Sequence, residues 1–221
     1  MPRIAQGLKT RGSQFWLQTL VETNDDRLCL PIRTAIGPGA GNITWLSPLA
    51  NDDMAEYRDA AFIERLGVQA DLFRLEDFWP NGGPQWDALA RIDEIPIIVE
   101  AKSHLQEMAS TACGASAKSH SKISRAMIAV QSHLNIASKI DWTGVGYQYA
   151  NRLAHLYFLR VRNNIPAHLF FIYFANDRTI NTPVSIAQWS GAIQFFELLL
   201  GTRRHRLSRY VHHLCIDVEA C

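Results

Sequence analysis

The chain has 221 residues, 48% of them hydrophobic and 19% charged, a balance that fits a folded globular protein and excludes a disordered one. A formal net charge of +1 excludes a general polyanion-binding chain, so any nucleic-acid contact has to come from a local basic surface. No apolar run approaches the ~20 residues that cross a bilayer, and the first dozen residues lack the apolar stretch of a secretory leader, so a cytoplasmic protein with no membrane partner is expected.

Taken in chain order, residues 13–22 predict a short helix capped by Ser13, and the glycines and proline of 37–41 predict a loop. Asn51, Asp52 and Asp53 offer a helix start, and 54–67 reads as a helix ending at Gly67. A strand is expected over 71–78, a turn over 80–84, and an alternating strand over 85–92. Residues 96–102 read as a buried strand that acquires two charges at its end. After a loop-like 108–118 come helices over about 119–136 and 147–162, a core strand at 167–174, a helix at 185–200 and a closing strand from 210 to 218. Strands that first meander and are then joined by a helical crossover predict one α/β domain over 1–221, with a mixed central sheet flanked by helices and an extra helical C-terminal segment.

Four cysteines, at 29, 113, 215 and 221, form no CxxC pair, so neither a zinc knuckle nor a redox dithiol is indicated and idle thiols are expected. Serine hydrolysis lacks its GxSxG setting, and the glycines of 37–41 match neither phosphate-binding glycine motif. Neighbouring residues in a strand or helix point in different directions, so His212 and His213 are not expected to share a metal. The run Arg203, Arg204, His205, Arg206 and Arg209 is a candidate basic surface, with a solvated turn as its plain explanation.

The chemistry concentrates at Asp87 and, thirteen positions on, Glu100 and Lys102. Side chains two apart on a strand share a face, so Glu100 and Lys102 project together while Ile97, Val99 and Ala101 go to the opposite side. Charges at the end of an apolar strand are costly to bury unless they are paired or bound to a metal. An antiparallel neighbour brings Asp87 beside them, and two carboxylates with a lysine suit Mg²⁺, water and phosphate. If the two carboxylates repel each other in the metal-free protein, Glu100→Gln should leave its stability unchanged or raised while weakening Mg²⁺ binding, whereas a strong loss of stability favours a structural salt bridge with Lys102.

These residues resemble the PD-(D/E)xK nuclease superfamily, whose fold is restriction-endonuclease-like. There an Asp opens the second strand and Glu-x-Lys lies on the third, as Asp87, Glu100 and Lys102 do here; Gln85 and Trp86 stand where a Pro frequently precedes the Asp. The resemblance covers 52–174, leaving 1–51 and 175–221 as extensions. It implies a metal-dependent nuclease with Mg²⁺ (or Mn²⁺) held by Asp87, Glu100 and the Ala101 carbonyl. It also implies a Glu on the first helix, for which Glu56 stands at the matching place before Gly67. In the branch with Gln-x-x-x-Tyr on a later helix, Gln148 matches and Arg152 replaces the Tyr. Gln148, Arg152 and His155 share one helical stripe, which reads either as a phosphate contact or as a solvated face. The implied partner is nucleic acid, with DNA the expected substrate and a homodimer allowed. The alternative is an inactive nucleic-acid-binding or protein-interaction module on the same fold.

Overall fold

The computed structural model describes residues 3–109, 112–136 and 140–219. A two-residue strand β1 (Arg3–Ile4) leads to helices α1 (Gly12–Glu22) and α2 (Asp26–Ile36) and then to strand β2 (Ile43–Ser47). The next segment holds a short β3 (Glu56–Tyr57), α3 (Ala60–Arg65) and the single-turn α4 (Leu75–Phe78). β4 (Ala88–Ile92) and β5 (Ile95–Lys102) form a hairpin. Helices α5 (Ala117–Leu134) and α6 (Tyr147–Tyr157), the latter continued by a π turn over Phe158–Arg162, cross over to β6 (His168–Ala175). Helix α7 (Ile186–Leu200) then connects to β7 (Val211–Asp217).

Five strands form one mixed sheet in the order β2-β4-β5-β6-β7. The first three run antiparallel, and β5, β6 and β7 are mutually parallel. Both parallel connections contain helices, as a parallel crossover requires. On one face Leu17, Leu20, Leu28 and Ile32 of α1 and α2 pack against Ala90, Ile97, Val99, Phe170 and Ile172. On the other, Ile98, Phe171 and Tyr173 meet Met127 and Val130 of α5, Leu153 of α6 and Trp189 of α7. The protein is therefore α/β, with a mixed five-stranded sheet between helices. Its edge strands, β2 and β7, come from 1–51 and 175–221, so both segments read as extensions contribute to the one sheet.

Three expectations need correction. Ser13 does not cap the first helix: α1 begins at Gly12 after Arg11, with no side-chain cap, and Ser13 lies inside it. The helix expected over 54–67 is confined to Ala60–Arg65, because Asp53, Met54 and Asp59 take φ of 53°, 52° and 53°, which a right-handed helix cannot contain. Glu56 and Tyr57 pair instead with Ile4 and Arg3. The strand expected over 71–78 is absent; Leu75–Phe78 makes one helical turn, and the Phe73 amide donates to Asn163 Oδ1 at 3.0 Å. Among the described residues no helix is long and apolar enough to cross a membrane. Cys29, Cys113 and Cys215 are free thiols, and Cys221 lies outside the described residues.

Candidate active site

β5 carries the centre because it is the middle strand of the sheet, flanked by β4 and β6. Pro96, Ile97, Ile98 and Val99 seal it into both cores, and the last turn of alternation brings Glu100 and Lys102, 4% and 6% exposed, out under α6. Lys102 Nζ donates to Glu100 Oε1 at 2.9 Å and to Gln148 Oε1 at 3.0 Å. Ala88 stands opposite Val99, which sets Asp87, the residue just before β4, beside Glu100. Asp87 Oδ2 accepts the Ala101 amide at 2.7 Å, so the backbone of β5 itself fixes this carboxylate.

Glu56 reaches the same place from β3, not from a helix. Its Oε1 accepts Gln14 of α1 at 2.7 Å, and its Oε2 accepts Gln6 at 3.2 Å and, more closely, Gln85. Three neutral amides thus hold a carboxylate that is 4% exposed. Gln6 and Gln14 carry no motif in the sequence; Gln85, two positions from Asp87, shares its alternation and is the one that could have been found.

Arg152 differs most from expectation. It lies on α6 as a buried residue, 5% exposed, with its guanidinium fully engaged. Nε donates to Glu100 Oε2 at 2.7 Å, Nη1 to Asn151 Oδ1 at 2.8 Å and Nη2 to the Gln85 carbonyl at 2.9 Å, with the Trp86 ring 5.1 Å away. The polar stripe of α6 is therefore turned inward. His155, one turn on, is enclosed by Phe62, Trp79 and Trp86 and bonds the Asn151 carbonyl through Nδ1 at 2.8 Å. Burial lowers its pKa to about 3, which keeps the ring neutral.

The charges decide how the site behaves. Glu100 keeps a lowered pKa despite its burial, because Arg152 and Lys102 stand against its two oxygens. Asp87 is raised well above the ordinary carboxylate value by burial and then by the charges of Glu100 and Glu56. Glu56 is raised by burial, with its amide donors pulling the other way. Three carboxylates face two cations; fully ionised they would leave one negative charge over, and the raised pKa of Asp87 is where that excess favours a proton.

All six side chains named from the sequence, Glu56, Asp87, Glu100, Lys102, Gln148 and Arg152, line one cleft of about 1100 Å³ together with Ala101. Gly82, Gly83 and Pro84 form one rim, the start of α1 another, and His104 a third.

Family models, curated proteins and solved structures give no match to this chain.

What the site can do therefore rests on its donor atoms. Among the described residues no group of three or more His, Cys, Asp and Glu side chains stands ready to enclose a metal. Glu100 is turned toward Lys102 and Arg152, each of which takes one lone pair of its two oxygens, so an ion would use the lone pairs that remain. The chemistry of the set still fits a hard divalent cation, which takes carboxylate oxygens and tolerates water in its remaining positions. The charge deficit at Asp87 favours the same ion.

Proposed function

We propose that this chain is a metal-dependent nuclease, in which Asp87, Glu100 and the Ala101 carbonyl hold Mg²⁺ or Mn²⁺ and nucleic acid is the substrate. The observation that carries the proposal is the meeting of Glu56, Asp87, Glu100 and Lys102 in one cleft, with Asp87 held well above its ordinary pKa by burial and the neighbouring carboxylates. A structural salt bridge would need Glu100 and a single cation; it leaves Asp87 and Glu56 without a reason to sit beside it. The strand order supports the reading, since a meander of three strands followed by a parallel fourth is what a restriction-endonuclease-like fold would need.

When bound, the metal supplies a water of lowered pKa and offsets charge at the scissile phosphate. The chain's own groups do the rest. Lys102, held between Glu100 and Gln148, presents a fixed ammonium to the developing negative charge. Gln85 and Gln14 orient Glu56 beside the centre and oppose the rise that burial gives its pKa. Arg152 is a positioning residue in this scheme: it touches Glu100 rather than the phosphate. The buried wall of Trp79, Trp86 and His155 keeps that positioning free of water.

The test is cleavage of labelled single-stranded, duplex and branched DNA and RNA with Mg²⁺, Mn²⁺ or EDTA. Cutting that needs the metal and disappears in Asp87→Asn and Lys102→Ala, with both variants folded, supports the proposal. Metal-independent cutting, or full activity in Asp87→Asn, refutes it. No cutting with any substrate, beside retained nucleic-acid binding, moves the chain to the inactive binding module.

A further inference from the structure

The basic run noted in the sequence is not part of the cleft. Arg203, Arg204, Arg206 and Arg209 all lie exposed in the turn between α7 and β7. Among the described residues none of the four pairs with a carboxylate. Next to them Tyr210 is held between two guanidinium groups, with Arg160 Cζ 3.2 Å and Arg209 Cζ 5.1 Å from its ring centre. Arg160 and Arg209 thus meet at one ring, and Arg203, Arg204 and Arg206 precede it in the same turn, in a protein whose net charge is only +1.

The Tyr210 end of the turn is remote from the centre. Arg160 follows Gln148 by twelve residues along α6 and its π extension, which is roughly 18 Å at the helical rise. Parallel register agrees: Glu100 is level with Phe171 and His213, while Tyr210 precedes the first residue of β7.

We infer that this arginine turn is a second, sequence-independent contact for the phosphate backbone of a nucleic acid, separate from the cleft. Every cation in it is Arg, whose planar fork matches phosphate oxygens in pairs, whereas a merely solubilising surface has no need of that choice. An anionic membrane is the competing partner, because Phe195 and Leu198 on the last turns of α7 are 66% and 69% exposed although the turn's own Leu207 is 5% exposed, and the vesicle arm of the experiment separates the two. Contacts of this kind position a strand without reading its bases. The choice of polyanion rests on the nuclease reading; the surface itself does not.

The experiment compares wild type, the triple variant Arg203→Ala/Arg204→Ala/Arg206→Ala and Asp87→Asn by fluorescence anisotropy on a 20-base-pair duplex in EDTA, from 50 to 200 mM salt. All three arginines are exposed, so the triple variant should melt with wild type. Its binding should weaken at least tenfold at 50 mM salt, and its salt slope should fall by about 0.9 for each phosphate that the turn no longer neutralises. Asp87→Asn should keep the wild-type slope. An unchanged slope and affinity in the triple variant would overturn the inference, as would binding of phosphatidylserine vesicles that the triple variant loses while no duplex is bound. The two proposals fail separately: cleavage without a role for the turn leaves the cleft standing, and arginine-dependent binding without cleavage removes only the nuclease.

Discussion

Replacing Arg152 with Ala tests the electrostatics of the site most directly. The substitution removes three hydrogen bonds and the cation over Trp86, and leaves Glu100 buried with Lys102 as its only counter-charge. Breaking one partner out of a buried ion pair costs about 3–5 kcal/mol, against ~0.5 kcal/mol for an exposed arginine. For a domain of this length that is a fall in melting temperature of about 6–20 °C, read in EDTA so that no ion compensates. Mg²⁺ binding should move in the opposite direction, tightening on the order of tenfold, because the cluster then holds two uncompensated negative charges instead of one. Arg152→Lys restores the charge but cannot bond Glu100, Asn151 and the Gln85 carbonyl at once, so it should recover only part of the stability. Adding Glu100→Gln to Arg152→Met should cost less than the sum of the two single changes, since neither partner is left alone. A melting temperature within about 2 °C of wild type, with unchanged Mg²⁺ affinity, would refute the assignment of Arg152 as the counter-charge of Glu100.

Two further outcomes follow from the same charges. Asp87 has a folded pKa above its unfolded one, so its contribution to stability is present at low pH and is lost as pH rises through the raised value. Asp87→Asn should therefore melt higher than wild type in EDTA at pH 7, with the gap closing on acidification, and Mg²⁺ binding to wild type should release protons, measurable by calorimetry in buffers of different ionisation heat. An affinity that does not change between pH 5 and 8 would contradict this. The histidines shift the other way: burial lowers His155 to about 3 and His168, His205 and His212 to about 4. Their contribution is full above the unfolded value near 6.5 and is lost as pH falls through the folded values, so denaturant midpoints should decline steadily below about pH 6. A flat midpoint down to pH 4 would show that these rings are accessible to protons.

The central strands are legible in the sequence because their signals are local. Alternation at 96–102 puts Glu100 and Lys102 on one face, and the apolar run at 167–174 has no other home than a core strand. α2 and β2 escape a reading of this kind: Pro31 interrupts the helical pattern of one, and β2 is five residues between a glycine loop and Pro48. Glu56 reads as helical because nothing in its neighbours announces the left-handed turns at Asp53, Met54 and Asp59. The stripe of Gln148, Arg152 and His155 is visible in the sequence, but polar residues at helical spacing look the same whether they face water or a buried carboxylate. Only the position of Glu100 in space separates the two. The same limit reverses one expected sign. Spacing alone makes Glu100 the carboxylate that repulsion destabilises; with two cations against it, its removal should destabilise the metal-free fold, and Asp87 takes the repelled role.

Under the proposed function, an arginine at 152 where the resemblance implies a tyrosine would alter more than one interaction. With a tyrosine at 152 the three carboxylates would face Lys102 alone, two negative charges would remain, and the metal-free cleft would be strained by them. Arg152 reduces that excess to one and does so from inside the core, where screening by salt is weak. A divalent ion then displaces the proton that Asp87 favours and leaves the ionised cluster with one positive charge, which a phosphodiester returns to neutral under the proposed function. Substrate and metal would thus each be held by a single unit of charge rather than by a large field, which favours release after cleavage over tight storage. That also gives the distal arginines a purpose: a cleft with so little net charge cannot gather a long polyanion by itself, and a separate basic turn can do so without tightening the grip on the scissile phosphate.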